Sequence, residues 1–169
     1  GNKPYNIENV SPDAHLAPSV GDSSSKTSSK AWHKIDGVCY NGSGKKVEGA
    51  ITRGMDVSEW QGKINWKEAK KDLDFAFVRI SYGTRHLDDY YAYNMTEAEA
   101  ADVPVGTYVY SLAKTNKEAL AEAQLAIRQM QGHKVSYPVA FDLEDEATLG
   151  TLTRKEISQI ALTFCDEIR

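Results

Sequence analysis

From residue 52 onward, short β-rich runs alternate with stretches of helix formers, and this alternation restricts the fold more than any other feature of the sequence. Residues 54–58, Gly-Met-Asp-Val-Ser, read as a first strand, with a short helix over 66–72 after it. Residues 74–81 are a nearly continuous apolar run, the pattern of a parallel strand covered on both faces. Helix formers fill 89–101, and Asp102-Val103-Pro104 closes them before a third strand over 105–111. Thr115 and Glu118 have the spacing of a capping box for a helix that runs to Gln131, with Gly132 placed to take positive φ after it. Residues 137–144 read as a fourth strand. Thr153 and Glu156 cap a last helix whose apolar stripe is Ile157, Ile160, Ala161, Phe164 and Ile168. Strands and helices in alternation mean βαβ units and a parallel sheet, so the expected class is α/β. Four strands do not close a barrel, which needs about eight before its interior side chains fill it. The sequence stops inside its own rhythm and reads as cut.

The first 50 residues have a different character. Six serines fall between Ser19 and Lys30, with Pro18 and Gly21 beside them, and such a stretch has little to bury. Residues 1–31 are therefore expected to be a flexible linker or arm. In residues 32–50, Trp32, Ile35, Val38 and Tyr40 precede Asn41-Gly42-Ser43-Gly44, and Val47 follows. Asn-Gly between apolar runs predicts a short β-hairpin with its turn there. The spacing Trp32, Asp36-Gly37, Tyr40, Gly44 is faintly similar to one copy of the wall-binding repeats that cradle choline, but a plain hairpin packed on the next domain is the preferred reading.

Charge and composition narrow the function. Lysine and arginine number 20 against 24 acids, a net charge of -4, which argues against a nucleic-acid binder. The longest apolar runs, such as residues 75–78, are far too short for a membrane span. Cys39 and Cys165 make neither a disulfide framework nor a metal-type spacing, and Cys165 reads as a small core residue. His15, His33, His86 and His133 share no strand end, which argues against a histidine-based triad. Trp60 and Trp66 bracket a turn and read as core.

In a parallel α/β fold, ligands sit at the carboxyl ends of the strands. The four predicted strands deliver Asp56 and Ser58, then Arg79 with Ser81-Tyr82, then Tyr108, Tyr110 and Ser111, then Asp142 and Glu144. Strand side chains alternate faces, so Asp142 and Glu144 are expected to point into the same mouth. Two carboxylates that close cannot both ionise freely, and one pKa rises. A raised acid beside an ionised partner is what glycosidic-bond cleavage requires, with Asp56 as a further acid. A solvated loop start, or a Mg²⁺ or Ca²⁺ site built with Asp145 and Glu146, is an alternative that the spacing leaves open. Arg79 at the end of an apolar strand needs an acidic partner, with Asp56 or Glu144 as candidates, or else it bonds a sugar. Tyr82, Tyr108 and Tyr110 either stack on sugar faces or pack the core, while Val109 faces the helices.

Several segments together carry a family resemblance. Residues 54–62, Gly-Met-Asp-Val-Ser-Glu-Trp-Gln-Gly, followed by Ile64-Asn65-Trp66, resemble the opening of glycoside hydrolase family 25, the lysozymes or muramidases. Residues 75–83 resemble the family's second strand, Asp88, Tyr91 and Asn94 the segment after it, 104–111 its third strand, and 138–144 its catalytic strand. The resemblance runs in order from about residue 52 to the end. It implies the N-terminal half of an irregular, TIM-like (β/α) barrel over 52–169. It implies hydrolysis, without cofactor or metal, of the β-1,4 bond between N-acetylmuramic acid and N-acetylglucosamine in peptidoglycan glycan strands. Glu144 would be the general acid, and Asp142 would stabilise the charged intermediate with help from the substrate's acetamido group. Asp56 would be the carboxylate of the first strand. Arg79, Tyr82, Tyr108 and Tyr110 would lie along the sugar subsites. A secreted or cell-surface location is implied, with the secretion signal outside this chain.

Two departures stand out. Asp102 occupies a place where the family usually has glycine, a small cost because Asp tolerates positive φ. The family also continues past residue 169 with further strands. Either a longer chain, or a second chain or dimer, would then complete the barrel. The alternatives to a peptidoglycan hydrolase are a truncated fragment that binds wall glycan without cutting it and a chitinase-like hydrolase.

Overall fold

The computed structural model describes residues 32–169, so the arm expected over 1–31 lies outside the described residues. Strands β1 (His33–Ile35) and β2 (Val38–Tyr40) form an antiparallel hairpin. Strands β3 (Gly54–Val57), β4 (Phe75–Tyr82), β6 (Val105–Tyr110) and β7 (Val139–Asp142) lie side by side, all parallel, in the order in which they occur along the chain. The short β5 (His86–Leu87) folds back antiparallel onto the end of β4. Helices α1 (Trp66–Ala69), α2 (Tyr91–Ala100), α3 (Asn116–Met130), α4 (Glu146–Leu149) and α5 (Arg154–Ile168) occupy the connections and the C-terminus. Among the described residues the sheet does not close into a barrel.

Local chemistry sets the helix starts. The Asn65 side chain accepts the Glu68 N–H at the head of α1. Thr153 and Glu156 form a complete reciprocal capping box at α5. At α3 the box is displaced by one residue. Thr115 accepts the Glu118 N–H, but the Glu118 carboxylate reaches back to the Lys114 N–H at 2.8 Å. Gly132 and Asp102 both take positive φ, as their chemistry permits.

One face of the sheet carries the core. Ala76, Val78 and Ile80 of β4, with Val57, Val105 and Val109, are sealed beneath Trp66, Tyr91, Met95, Ala98, Ala123, Ala126 and Phe164. Phe141 of β7 stacks on Phe164 of α5 at 4.0 Å. The intervening residues therefore face the other way. There Phe75 and Phe77 make an aromatic layer with Tyr137, with ring centroids 4.9 Å and 6.3 Å from it. Glycine makes the space for both phenylalanines. A Cβ on Gly54 would lie 2.1 Å from the Phe75 ring, and one on Gly106 would lie 2.6 Å from the Phe77 ring and 2.8 Å from the Pro138 carbonyl oxygen.

Four expectations change. The hairpin turns at Asp36-Gly37, whose φ values of 48° and 79° make a two-residue primed turn, and not at Asn41-Gly42. Asn41 instead folds a second turn, its side-chain oxygen accepting the Ser43 and Lys45 N–H groups, which brings Lys46 back beside Tyr40. The fourth strand covers 139–142 only. Its neighbour β6 ends at Tyr110, opposite Asp142, so nothing remains for Glu144 to pair with. Trp60 is 79% exposed rather than core, because it sits on a turn above the sheet. Cys165 is exposed, on the side of α5 away from Ile160 and Phe164, while Cys39 is the buried cysteine.

Gly106→Ala is expected to destabilise the chain by about 1–3 kcal/mol through overpacking, measured by urea denaturation. Phe75→Leu should restore Gly54→Ala, where only a ring must move. Phe77→Leu should only partly restore Gly106→Ala, because the Pro138 carbonyl stays in place. An unchanged unfolding midpoint in Gly106→Ala contradicts this packing.

Candidate active site

Parallel register gathers the polar residues at one end of the sheet. Arg79 lies beside Tyr108, and Tyr110 beside Asp142. A bulge between Arg79 and Ser81 shifts the pairing by one residue, so that Ser81 opposes Val109 and Tyr82 opposes Tyr110. An uninterrupted β4 would have sent Tyr82 toward the helices, since Arg79 faces away from them. With the bulge, Tyr82 joins the open face and stacks on Tyr110, ring centroids 4.8 Å apart.

The carboxylates come from three strand ends. Asp56 leaves β3 exposed and accepts the Tyr108 hydroxyl. Burial first, and then the Asp56 charge and hydrogen bond, push the Tyr108 phenol far above its ordinary range, against the pull of Arg79. Tyr110 is pushed up to about 12 by burial and then by negative charge from Glu144, Asp145 and other neighbours that include Asp142. Both tyrosines therefore keep their protons across the physiological range and serve as donors. Asp142 is half-buried and its carbonyl accepts the Ser111 N–H at 2.9 Å. Glu144 is exposed in the loop after β7, so strand alternation does not govern its direction. Its negative charge reaches Tyr110. Asp145 turns to cap α4, accepting the Thr148 N–H at 2.7 Å.

The acids that meet Arg79 directly include Glu59 and Asp88. Arg79 is 6% exposed, its Nε donates to Asp88 Oδ2 at 2.9 Å, and its Nη2 lies 2.9 Å from Glu59 Oε1 without hydrogen-bond alignment. Asp88 is itself buried and also accepts the Glu59 and Tyr90 N–H groups. Glu59 sits on the turn after β3, and Asp88 follows β5, so both reach the C-terminal half of β4. His86 Nε2 lies 2.8 Å from the second Glu59 oxygen. Burial raises the Glu59 carboxyl, but the His86 hydrogen bond, the Asp89 N–H and the Arg79 charge outweigh it and hold the group below its usual range. Neither Glu59 nor Asp88 stood out as a site residue in the sequence. The available signal was Arg79, whose place in an apolar run demands acids from elsewhere.

The described residues gather one group that could ligate a cation, Glu59, His86 and Asp89, with ligand atoms within 4.8 Å of one another. A divalent ion there would compete with the guanidinium already against Glu59. The acid run 142–146 forms no such group among the described residues.

Arg79→Met should destabilise the fold by about 3–5 kcal/mol, because Asp88 is left buried without its cation. The depressed Glu59 pKa makes its contribution full above the unfolded carboxylate value and lost as pH falls through the folded one. The stability gap between the parent chain and Glu59→Gln should therefore be complete above the ordinary carboxylate range and close as pH falls below it. A gap independent of pH in denaturation curves contradicts the ion network.

Comparison with known proteins places this arrangement. Over 60 residues the chain is 38% identical to Lysozyme M1 of Streptomyces globisporus, a match that spans 35% of this chain and 20% of that protein. The fold matches the modular autolysin LytC of Streptococcus pneumoniae with a TM-score of 0.66 at 25% identity, covering 81% of this chain and 35% of the other. It also matches a family 25 glycosyl hydrolase of Bacillus anthracis with a TM-score of 0.59 at 22% identity, covering 72% of this chain and 57% of that one. The chain thus spans only a fifth of Lysozyme M1 and about a third of LytC. The profile of the glycosyl hydrolases family 25 matches residues 55–169, from the first rim strand to the last helix, and the chain belongs to that family.

Proposed function

We propose that the protein carrying this chain is a peptidoglycan hydrolase of the lysozyme type, cleaving the β-1,4 bond between N-acetylmuramic acid and N-acetylglucosamine. One observation carries the proposal: in a family 25 scaffold, Asp142 and Glu144 both act on the Tyr110 phenol at the open end of β6. Support comes from Lysozyme M1, and from LytC, which has been solved in complex with a synthetic peptidoglycan ligand.

In this proposal Glu144, the exposed acid, gives its proton to the glycosidic oxygen as the bond breaks. Asp142, half-buried, stabilises the positive charge that grows on the sugar, together with the substrate's own acetamido oxygen. Asp56 adds negative charge from β3, and Tyr108 keeps it oriented. The Tyr82–Tyr110 pair offers an aromatic surface and hydroxyl donors along the glycan. Arg79 acts on this surface through the rim turns that it ties to β4. No cofactor enters any step. The substrate is outside the membrane, so the protein works secreted or at the cell surface. Among the described residues no helix is long and apolar enough to cross a membrane. Further strands of a longer chain, or failing those a second chain or dimer, complete the barrel beyond β7.

The open sheet favours a second reading, in which the chain binds wall glycan without cutting it. Turbidity of bacterial walls separates the two. Glu144→Gln should lower clearing by a factor on the order of 10² to 10⁴ while leaving wall pull-down intact. Full clearing by Glu144→Gln removes the acid assignment, and pull-down with no clearing by the parent protein supports binding alone. Released fragments should carry N-acetylmuramic acid at their reducing ends, whereas a chitinase-like activity would leave N-acetylglucosamine.

A further inference from the structure

Helix α3 turns an apolar face to the sheet, where Ala119, Ala123 and Ala126 are wholly buried. Glu122 lies on that same face and is 2% exposed. A carboxylate among alanines is costly to desolvate, and nothing in the packing asks for one. Its two oxygens are both in use. Oε2 accepts the Ser111 hydroxyl at 2.7 Å, and Oε1 accepts the Leu112 N–H at 3.0 Å. The Ser111 oxygen in turn accepts the Ala113 N–H at 3.1 Å. One buried acid thus organises three consecutive residues of the turn that follows β6.

That turn is where three strand ends meet. The Ser111 N–H donates to the Asp142 carbonyl at 2.9 Å, which fixes the last residue of β7. The Gly83 N–H donates to the Tyr110 carbonyl at 2.8 Å, which fixes the end of β4 just beyond Tyr82. Gly83 has a φ of +60°, and a Cβ there would meet Leu112 at 3.2 Å, so the β4 end and the turn are also in steric contact. Tyr82, Tyr110 and Asp142 are therefore held at a common height by backbone bonds that run through the segment Glu122 clamps.

We propose that Glu122 is a positioning residue, which sets the relative height of Tyr82, Tyr110 and Asp142 by locking the Ser111–Ala113 turn. Its link to turnover rests on the hydrolase reading above; its link to the rim geometry does not. The test uses the full chain with Glu122→Gln, which keeps the shape but presents an amide N–H₂ where one of two donors must find an acceptor. Ser111→Ala, which deletes one bond of the clamp, is the second variant and decides the matter if the first does not fold.

Two measurements are made on folded protein. Amide hydrogen exchange reads the rim directly. The Gly83 and Ser111 amides should exchange at least about tenfold faster in the variants, while the Ala76 amide, which donates to the Pro104 carbonyl at the opposite end of the sheet, should be unchanged. Wall hydrolysis should show kcat down by on the order of tenfold or more with KM within about twofold, because small misplacement of reacting groups slows chemistry more than binding. Unchanged protection of Gly83 and Ser111 overturns the proposal whatever the activity. A uniform rise in exchange at both ends, or a fall in stability with kcat preserved, shows a merely structural acid and also overturns it. If the parent protein does not hydrolyse walls, the hydrolase reading fails, and the exchange pattern alone still decides the role of Glu122.

Discussion

A guanidinium buried in the middle of a parallel sheet is the constraint on which the rim depends. Arg79 ends the apolar part of β4, and taking its charge out of water is unfavourable unless carboxylates meet it there. Glu59 and Asp88 do so from two separate connections, one after β3 and one after β5. Satisfying one side chain therefore ties two loops to β4, and His86 and the Asp89 N–H join them directly at Glu59. The Glu59 N–H binding to Asp88 closes the same circuit through the backbone. Asp56, three residues before Glu59, interacts with Tyr108 on the neighbouring rim.

Below that polar layer the sheet is built on a different principle. Gly54 and Gly106 leave room that Phe75 and Phe77 fill, and Tyr137 covers both rings. The open face is thus aromatic at its base and acidic at its top, with Arg79 at the boundary. Low-dielectric material beneath a set of carboxylates strengthens their mutual repulsion. Burial of the rings first, and the negative charge of the acids around them second, keep the Tyr108 and Tyr110 protons in place.

Much of this was legible in the sequence. The β-rich runs, the helix formers between them and the capping residues located all four parallel strands and the long helices, because those signals arise from local chemistry. Val109 was assigned to the helix side for the same reason, and it is wholly buried there. The motifs from Asp56 to Glu144 pointed to the family that the profile match shows. What escaped depends on partners distant in sequence. The acids that meet Arg79 lie in connections, where no periodicity predicts contact. The end of β7 was misplaced because it is set by the length of β6 and not by its own residues. Trp60 is apolar, yet nothing in its neighbourhood reveals that a turn lifts it above the sheet. Asp36-Gly37 and Asn41-Gly42 are chemically equivalent turn formers, and only the strand register distinguishes them.

The bulge in β4 has a consequence for how related sequences can vary. Ile80 is the additional residue between Arg79 and Ser81: it inverts the parity of the strand beyond it while its own side chain fills the core. A relative one position shorter here, with no bulge, would run arginine, serine and tyrosine in plain alternation and still set the tyrosine on the open face opposite Tyr110. Length and bulge are therefore tied at this spot: a relative of the same length that lost the kink would turn its tyrosine under the helices, whereas one that lost both the kink and a residue would not.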